Sequence, residues 1–260
     1  MSEVLKLRRE GGVLEVILDR PSANAIDHPT SRLMGETFRD FRDDPDLRVA
    51  IIATAGDRFF SAGWDLKAAA DGAKVDDDYG VGGFGGMQEL RDLNKPIIAA
   101  VSGMAVGGGF ELALSADLIL CADHSRFSLP EINVGTIADA ATVKLPKRLP
   151  YHVAMDLLLT GRWMEAEEAH RFGLVNALYP KAELMEAAWE LARKLAAGPP
   201  LMFAAVKEVV RAAEAMTFQE AMNKITRRQF PTVDILYASE DHVEGPRAFA
   251  EKRPPNWTGR

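Results

Sequence analysis

The chain has 260 residues, of which 47% are hydrophobic and 27% charged, and its formal net charge is −7. This length allows one large domain with a buried core. The acidic balance gives no general attraction to nucleic acid or to an anionic membrane, so we expect neither as a partner. Cys121 is the only cysteine, which excludes an intrachain disulfide, and its apolar surroundings predict a small buried side chain.

The first ten residues are charged and lack the apolar segment of a signal peptide. No run approaches the roughly 20 apolar residues that a membrane-spanning helix needs. We therefore expect a cytoplasmic protein.

The first third of the chain alternates strands with a helix. Alternating polarity predicts strands over Val4 to Arg8 and Val13 to Leu18, with a hairpin turn at Gly11-Gly12. Apolar residues at helical spacing predict a helix over Thr30 to Arg42, and the apolar run Val49 to Thr54 predicts a buried strand.

The segment from Ala73 to Met87 differs from its surroundings. Three aspartates, Asp76 to Asp78, precede a glycine-rich run that also contains Tyr79 and Phe84. So many glycines predict a mobile loop lying over another part of the protein, not a core element. A disordered insertion and a lid over a site both fit this pattern.

The middle of the chain repeats a unit of strand, turn and helix. We expect strands at Ile97 to Val101, Leu118 to Cys121 and Arg126 to Leu129, and a helix from Gly108 to Ser115. A short helix from Glu165 to Phe172 and a strand from Val175 to Leu178 follow.

Beyond Pro180 the pattern is helical throughout. The segments with helical periodicity are Lys181 to Ala197, Leu201 to Ala215, Phe218 to Arg228 and a last pair of short helices divided by Gly245-Pro246. We place one boundary near residue 198, between an α/β core over 1–197 and a helical region over 198–260. Long amphipathic helices attached to a core often pack against another subunit, so oligomerisation is a reasonable hypothesis.

Two glutamates stand in apolar surroundings where a carboxylate has no evident structural purpose. Glu111 follows a glycine triplet, and Glu131 follows Pro130. A buried carboxylate costs several kcal/mol unless it is partnered or protonated. Two such groups near one cavity would suit proton transfer in both directions, one as acid and one as base.

The glycine triplet Gly107 to Gly109 follows a strand and opens a helix, so its backbone amides are free donors. A phosphate cradle, an oxyanion hole and a tight packing turn all fit it. The spacing is not G-x-G-x-x-G, but Asp123 could imitate a ribose ligand, so a nicotinamide-dependent oxidoreductase remains an alternative.

The segment from Ser61 to Asp65 supplies a second set of exposed amides at the start of a helix. One N–H near Trp64 and one near Gly108 would form the pair of donors that an oxyanion hole requires. The five histidines are scattered, so we expect no metal site. Ser61 and Ser102 lack the G-x-S-x-G elbow of a serine hydrolase.

Several motifs resemble the crotonase (enoyl-CoA hydratase/isomerase) superfamily, in the same order over essentially the whole chain. They include Phe60 to Leu66, Lys95 to Val101, Gly107 to Ala113, Phe127 to Glu131 and Ala248 to Arg253. The resemblance implies an α/β fold, a crotonase-type ββα spiral core with a helical C-terminal trimerisation region, assembled as a homo-trimer or a dimer of trimers. It also implies a coenzyme A thioester as substrate and no separate cofactor.

In such enzymes the amides matching Trp64 and Gly108 polarise the thioester carbonyl. The resemblance assigns Glu131 to proton transfer at Cα and Glu111 to the water or hydroxyl at Cβ. The residues implied to bind coenzyme A, through backbone near the adenine or lysines near the phosphates, are Ala23, Ser61, Ala62, Asp65, Leu66, Lys67 and Lys252.

Within the superfamily the chain is most similar to the carnitinyl-CoA dehydratases, through Ala23 to Asp27, Phe41 to Pro45, Ser61 to Ala70 and Gly82 to Phe84. This implies a lyase that interconverts carnitinyl-CoA and crotonobetainyl-CoA plus water. Another enoyl-CoA hydratase, an enoyl-CoA isomerase and a non-catalytic binding or assembly protein remain alternatives.

One segment departs from the family pattern. Ala138, Ala140 and Ala141 stand in the region where many members have a proline and a glycine pair, and the added methyl groups could narrow the acyl pocket. A trimethylammonium group would favour aromatic faces, which Trp64, Tyr79 and Phe84 could offer.

Overall fold

The computed structural model describes residues 4–70, 72, 74–75 and 77–260. Within these residues the strands are β1 (Leu5–Glu10), β2 (Val13–Leu18), β3 (Val49–Thr54), β4 (Phe59–Ser61), β5 (Ile97–Val101), β6 (Met104–Val106), β7 (Leu118–Ala122), β8 (Arg126–Ser128), β9 (Met164–Glu165) and β10 (Ala177–Tyr179). The helices are α1 (His28–Asp43), α2 (Leu66–Ala70), α3 (Gly108–Ala113), α4 (Asp139–Arg148), α5 (Tyr151–Thr160), α6 (Ala166–Arg171), α7 (Lys181–Ala196), α8 (Pro200–Ala213), α9 (Phe218–Thr226), α10 (Pro231–Ala238) and α11 (Glu240–Glu251). No helix in these ranges is long and apolar enough to cross a membrane.

Two sheets are built from alternate strands of a spiral. The larger has the order β1-β2-β3-β5-β7-β10, and the smaller has the order β4-β6-β8-β9. The chain passes from the larger sheet to the smaller and then into a helix or 3-10 turn, as in β3-β4-α2 and β5-β6-α3. The predicted ββα spiral is therefore confirmed, as is the hairpin, whose antiparallel register pairs Glu10 with Val13.

The small sheet determines where the candidate functional segments lie. Strands β4, β6 and β8 are parallel neighbours, with Ser61 opposite Ala105 and Val106 opposite Ser128. Since parallel strands end at the same edge of a sheet, the segments that follow these three strands emerge side by side. They contain Trp64, the glycine triplet and Glu131.

Most strands of the larger sheet are covered by other elements on both faces, so the side chains on both faces are apolar. Side chains on one face of this sheet, such as Leu14, pack in a core that includes Phe38 of α1, Phe60 of β4 and Phe110 of α3. The alternate residues, such as Val13, pack against α7, including Trp189. Successive side chains of a strand point to opposite faces of the sheet. Because both faces are buried here, the strands read as continuous hydrophobic runs.

The C-terminal helices form a small cluster of their own, with Ala205, Phe230 and Val233 buried in it. Lys207 on α8 attaches them to the core by an ion pair with Asp117 (2.5 Å) and a hydrogen bond to the Lys95 carbonyl oxygen (2.6 Å). The boundary near residue 198 remains a prediction.

One expectation about helices was wrong, and two helices were missed. Gly245-Pro246 does not divide the last helices, because α11 runs through it and begins instead at Glu240, after the N-cap Ser239, whose hydroxyl accepts from the amide of His242. Helices α4 and α5 were not predicted. The first contains Pro146 and starts without a capping side chain, so its usual sequence signals are missing.

The glycine-rich segment is packed into the protein over residues 82–87, which corrects the prediction that it is not a core element. The Ser31 hydroxyl accepts from the Gly85 amide (3.0 Å) and donates to the Gly83 carbonyl oxygen (3.0 Å). These glycines allow close contact with α1, since a Cβ at Gly86 would lie 2.5 Å from the carbonyl carbon of Met34. Phe84 lies over Gly108, so the segment does cover another part of the protein, while Ala73 and Asp76 lie outside the described residues.

This packing can be tested with a pair of glycine substitutions. Gly86 (φ +79°) and Gly56 (φ +84°) share a left-handed backbone, but nothing lies within 4 Å of a Cβ at Gly56. We expect Gly86→Ala to lower the free energy of unfolding by about 3 kcal/mol or more, since overpacking adds to backbone strain. Gly56→Ala should cost only about 1 kcal/mol. Urea denaturation at fixed protein concentration measures both, and equal losses would contradict close packing at Gly86.

Candidate active site

The turn after β4 is held in place by the side chain of Ser61. This residue is fully buried, and its hydroxyl donates to the carbonyl oxygen of Asn24 (2.7 Å) and accepts from the amide of Gly63 (3.1 Å). Its hydroxyl is thus used inside the protein. At this position of the turn only the backbone remains to contact a ligand.

The amide of Trp64 is left without a backbone partner by a short parallel bridge to Ile26. The Ile26 amide donates to the Gly63 carbonyl oxygen (2.7 Å), and the Asp65 amide donates to the Ile26 carbonyl oxygen (3.1 Å). Since alternate backbone groups of an extended segment point to opposite sides, the N–H of Trp64 faces away from Ile26.

This turn lies directly against the start of α3. A Cβ at Gly63 would be 2.7 Å from the amide nitrogen of Gly108, and one at Gly109 would be 2.7 Å from the carbonyl carbon of Ser61. Within the part of the chain that the structure describes, neither the Trp64 nor the Gly108 N–H donates a hydrogen bond. The structure thus brings together the two amides that the sequence pattern paired.

Glu111 lies one turn into α3 and is only 7% exposed. Its Oε1 accepts a hydrogen bond from the amide of Ala141, at 2.9 Å. Burial raises the pKa of Glu111, and the charge of Asp139 adds to this, while the Ala141 amide and the charge of Lys144 oppose it. The carboxyl group is therefore held in one orientation and accepts a proton more readily than an exposed glutamate.

Glu131 lies in the 3-10 turn Pro130–Asn133 that follows β8. Its carboxyl group lies over Gly107, where a Cβ would come within 2.6 Å of Oε1. Burial, and then the charge of Glu111, raise the pKa of Glu131 to about 7. The charge of Glu111 acts on the carboxyl group of Glu131, so the titrations of the two glutamates are linked.

Two buried polar atoms of the site have no hydrogen-bond partner among the described residues. They are Oε2 of Glu131 and Nε1 of Trp64. Buried polar groups in folded proteins are nearly always hydrogen-bonded, so orphaned atoms at one place require an explanation. A bound ligand with both donor and acceptor groups would provide one.

Most of the residues implied to bind coenzyme A lie close to this turn. The Ala62 amide donates to the Ala23 carbonyl oxygen (2.9 Å), and Leu66 and Lys67 are exposed. The Asp65 side chain is used internally, in an ion pair with Arg20 (2.7 Å) and as an acceptor from the Lys67 amide (3.0 Å). Their contact with coenzyme A remains a prediction.

Lys252 lies in a different part of the fold from the turn after β4. It ends α11 in a left-handed conformation (φ 55°), and the tail beyond it is held where Arg48 donates to the carbonyl oxygen of Trp257 (3.0 Å). Arg48 immediately precedes β3, whereas the site follows β4, β6 and β8. Among the described residues no hydrogen bond or ion pair joins Lys252 to the turn after β4, so its role also remains a prediction.

Sequence reasoning missed the contribution of α4. Its amide at Ala141 fixes Glu111, and its Lys144 donates to the Ser115 hydroxyl (3.1 Å), which in turn donates to the Glu111 carbonyl oxygen (2.9 Å). Burial lowers the pKa of Lys144 to about 8. No local pattern marks a lysine that will be buried against a helix 30 residues away, so the sequence offered no signal for it.

The alanines that depart from the family pattern are at the start of this helix. Ala138 and Ala141 are 5% and 0% exposed, so their methyl groups are inside the protein close to Glu111. Among the described residues no three metal-ligating side chains come together.

The candidate site places two amides, of Trp64 and Gly108, beside two carboxyl groups, of Glu111 and Glu131. The amides can polarise a carbonyl oxygen, and the carboxyl groups can exchange protons at neighbouring atoms.

The influence of Lys144 on Glu111 can be measured. We expect Lys144→Met to raise the pKa of Glu111, because it removes the cation that favours the carboxylate. Carbon-13 NMR of labelled glutamate carboxyl groups, followed during a pH titration, reports this change. Lys147→Met is the matched control, since Lys147 is on the same helix but is exposed and pairs with Glu214 (2.6 Å). If both variants moved the titration equally, the effect would not come from the buried lysine.

Comparison with known proteins shows the family of this chain. The family model described as "Enoyl-CoA hydratase/isomerase" matches residues 8–260. The carnitinyl-CoA dehydratase of Salmonella arizonae is 56% identical over 260 residues, and that of Proteus mirabilis is 54% identical over 261 residues. Both alignments cover 100% of this chain and 100% of the relative.

Solved structures show the same fold. The enoyl-CoA hydratase of Mycobacterium tuberculosis has a TM-score of 0.89 at 37% identity, and the alignment covers 99% of each chain. A putative short chain enoyl-CoA hydratase from Novosphingobium aromaticivorans has a TM-score of 0.86 at 35% identity, covering 100% of this chain and 99% of that one. The resemblance inferred from the sequence is confirmed, and the chain belongs to the enoyl-CoA hydratase/isomerase family.

Proposed function

We propose that this protein is a hydro-lyase that interconverts carnitinyl-CoA with crotonobetainyl-CoA and water. Membership of the family and the full-length similarity to carnitinyl-CoA dehydratases support this reaction class. The observation that carries the proposal is that the Glu131 carboxyl group lies over Gly107 and the buried Glu111 lies one turn further along α3, beside two amides, of Trp64 and Gly108, that donate no hydrogen bond among the described residues. In this proposal the amides of Trp64 and Gly108 hold the thioester oxygen, where negative charge develops as an enolate forms.

The two glutamates divide the proton transfers. For dehydration, Glu131 removes the Cα proton as a carboxylate, and protonated Glu111 gives its proton to the departing hydroxyl at Cβ. For hydration, Glu111 takes a proton from water, and Glu131 protonates Cα. Each direction requires the pair to hold one proton in total, and the raised pKa values of both groups favour this state near neutral pH.

An isomerase or a hydratase of another acyl group would use the same fold. An isomerase can move a proton with a single acid, whereas this site keeps a second carboxyl group fixed by the Ala141 amide at 2.9 Å. That second group favours hydration and dehydration, which need a proton donor or acceptor at Cβ as well as at Cα.

The remaining parts of the proposal concern binding and assembly. The segment from Ala62 to Lys67 contacts coenzyme A, as does Lys252. Coenzyme A is part of the substrate, so no separate cofactor is needed. The C-terminal helices assemble the chain as a homo-trimer or a dimer of trimers, a role supported by Phe218 and Phe249, which are 80% and 87% exposed in the single chain. The lone buried cysteine fits a reducing compartment, so we propose that the protein is cytoplasmic.

The catalytic assignment is tested by replacing each acid. We expect Glu111→Gln and Glu131→Gln each to lower kcat/KM for hydration of crotonobetainyl-CoA by about 10²–10⁴-fold, because the amide cannot exchange protons. Loss of enoyl absorbance measures the rate. Glu167→Gln, an exposed position on α6, is the control and should leave the rate unchanged. Full activity in both site variants would show that the acids are misassigned.

The pH dependence follows from the shared proton. Glu131 loses its proton at pH about 7 when Glu111 is already ionised, so the active singly protonated pair disappears above that pH. We expect kcat/KM to fall on the alkaline side of about pH 7. A constant kcat/KM from neutral to alkaline pH would contradict a shared proton.

A further inference from the structure

The ring of Phe84 lies beside one of the two candidate oxyanion donors. A Cβ at Gly108 would fall 2.7 Å from Cζ of Phe84 and within contact distance of Cε1. The backbone on both sides of Phe84 is fixed by the Ser31 hydroxyl, which bonds the Gly83 carbonyl oxygen and the Gly85 amide at 3.0 Å each. The ring is therefore held at a set position relative to the thioester carbonyl of a bound substrate.

A second aromatic ring makes a corner with the first. Tyr79 is 5.4 Å from Phe84 between ring centroids, with the planes at 80°. On its other side Tyr79 stacks on His28, at 4.7 Å and 26°. The T-shaped contact and the stacking on His28 set the angle between the two rings, and a quaternary ammonium ion is attracted to the face of such a ring.

Lysines or arginines lie over several aromatic rings of the described chain, but over neither Phe84 nor Trp64. The charge of Asp139 acts on both Glu111 and Glu131 in the neighbouring candidate site. Arg32, which lies against Gly80 beside Tyr79, is paired with Asp78 (3.2 Å). The neighbouring cation Lys144 is directed at Ser115.

We infer that Phe84, with Tyr79 beside it, selects acyl groups that end in a quaternary ammonium group. This inference rests on the proposed function, because it names the part of the site that would recognise the substrate. The quaternary nitrogen of crotonobetainyl-CoA lies only a few bonds beyond the thioester carbonyl. In this inference a carbonyl bound at Gly108 has its acyl chain turned toward Phe84, so that the nitrogen lies within the roughly 6 Å over which an aromatic face attracts a cation.

The experiment compares two substrates of the same shape with the wild type and Phe84→Leu. One is crotonobetainyl-CoA, and the other is its uncharged analogue, in which a carbon atom replaces the quaternary nitrogen. Leucine keeps apolar volume but removes the aromatic face. We expect Phe84→Leu to lower kcat/KM for the charged substrate by about 5- to 30-fold and for the uncharged analogue by less than about twofold.

Controls separate recognition from folding. Phe84→Tyr should retain the preference for the charged substrate, because it keeps the ring. Phe172→Leu removes another partly buried phenylalanine packed on the same core, and it should leave the preference unchanged. Progressive fluorination of the phenylalanine at position 84 keeps the ring's shape while weakening its negative face, so the preference should fall with each fluorine.

Equal losses for both substrates in Phe84→Leu would overturn the inference, since they would indicate apolar packing alone. Binding measurements distinguish this failure from failure of the proposed function. If the wild type converts neither substrate but binds the charged one more tightly, and Phe84→Leu abolishes that difference, then the recognition stands and the lyase assignment fails. If the wild type hydrates both equally well, the lyase assignment stands and the inference fails.

Discussion

The site depends on a close backbone contact between the turn after β4 and the first residues of α3. A side chain at Gly63 would collide with the Gly108 amide nitrogen, at 2.7 Å, and one at Gly109 would collide with Ser61. The two amides can therefore converge on one oxygen only because both segments lack a Cβ at the contact. Donors fixed by backbone need no rearrangement when charge develops, which makes them effective in a buried site.

The same contact determines the electrostatics of the acids. Since α3 begins at this contact, Glu111 is carried into the interior one turn later, and Glu131 follows the neighbouring strand β8 at the same edge of the small sheet. Burial alone would favour two neutral carboxyl groups. The Ala141 amide and Lys144 favour the ionised form of Glu111, while no described group donates to Oε2 of Glu131. The two acids thus have different surroundings, which is how a fold assigns acid and base roles to identical side chains.

Much of the spiral and the main residues of the site could be predicted from local patterns. Glu111 and Glu131 were conspicuous because each follows a backbone-altering residue in an apolar segment. Alternating polarity located β1 and β2, and apolar runs located the buried strands β3, β5 and β7. Helix α4 could not be predicted in this way, because Lys144 and the Ala141 amide act on a residue that is distant in sequence. The glycines from Gly82 to Gly86 were misread because abundant glycine accompanies both mobility and close packing.

Gly107 and Glu131 have a relationship that bears on how this site can change during evolution. The glycine has a φ of +53°, and a Cβ there would occupy the space of the Glu131 carboxyl group. Any side chain at 107 would displace the acid, and a chain that lost the acid would no longer need that empty space. The two positions are therefore expected to covary among descendants of this sequence, with the glycine lost only where a different proton donor has replaced Glu131.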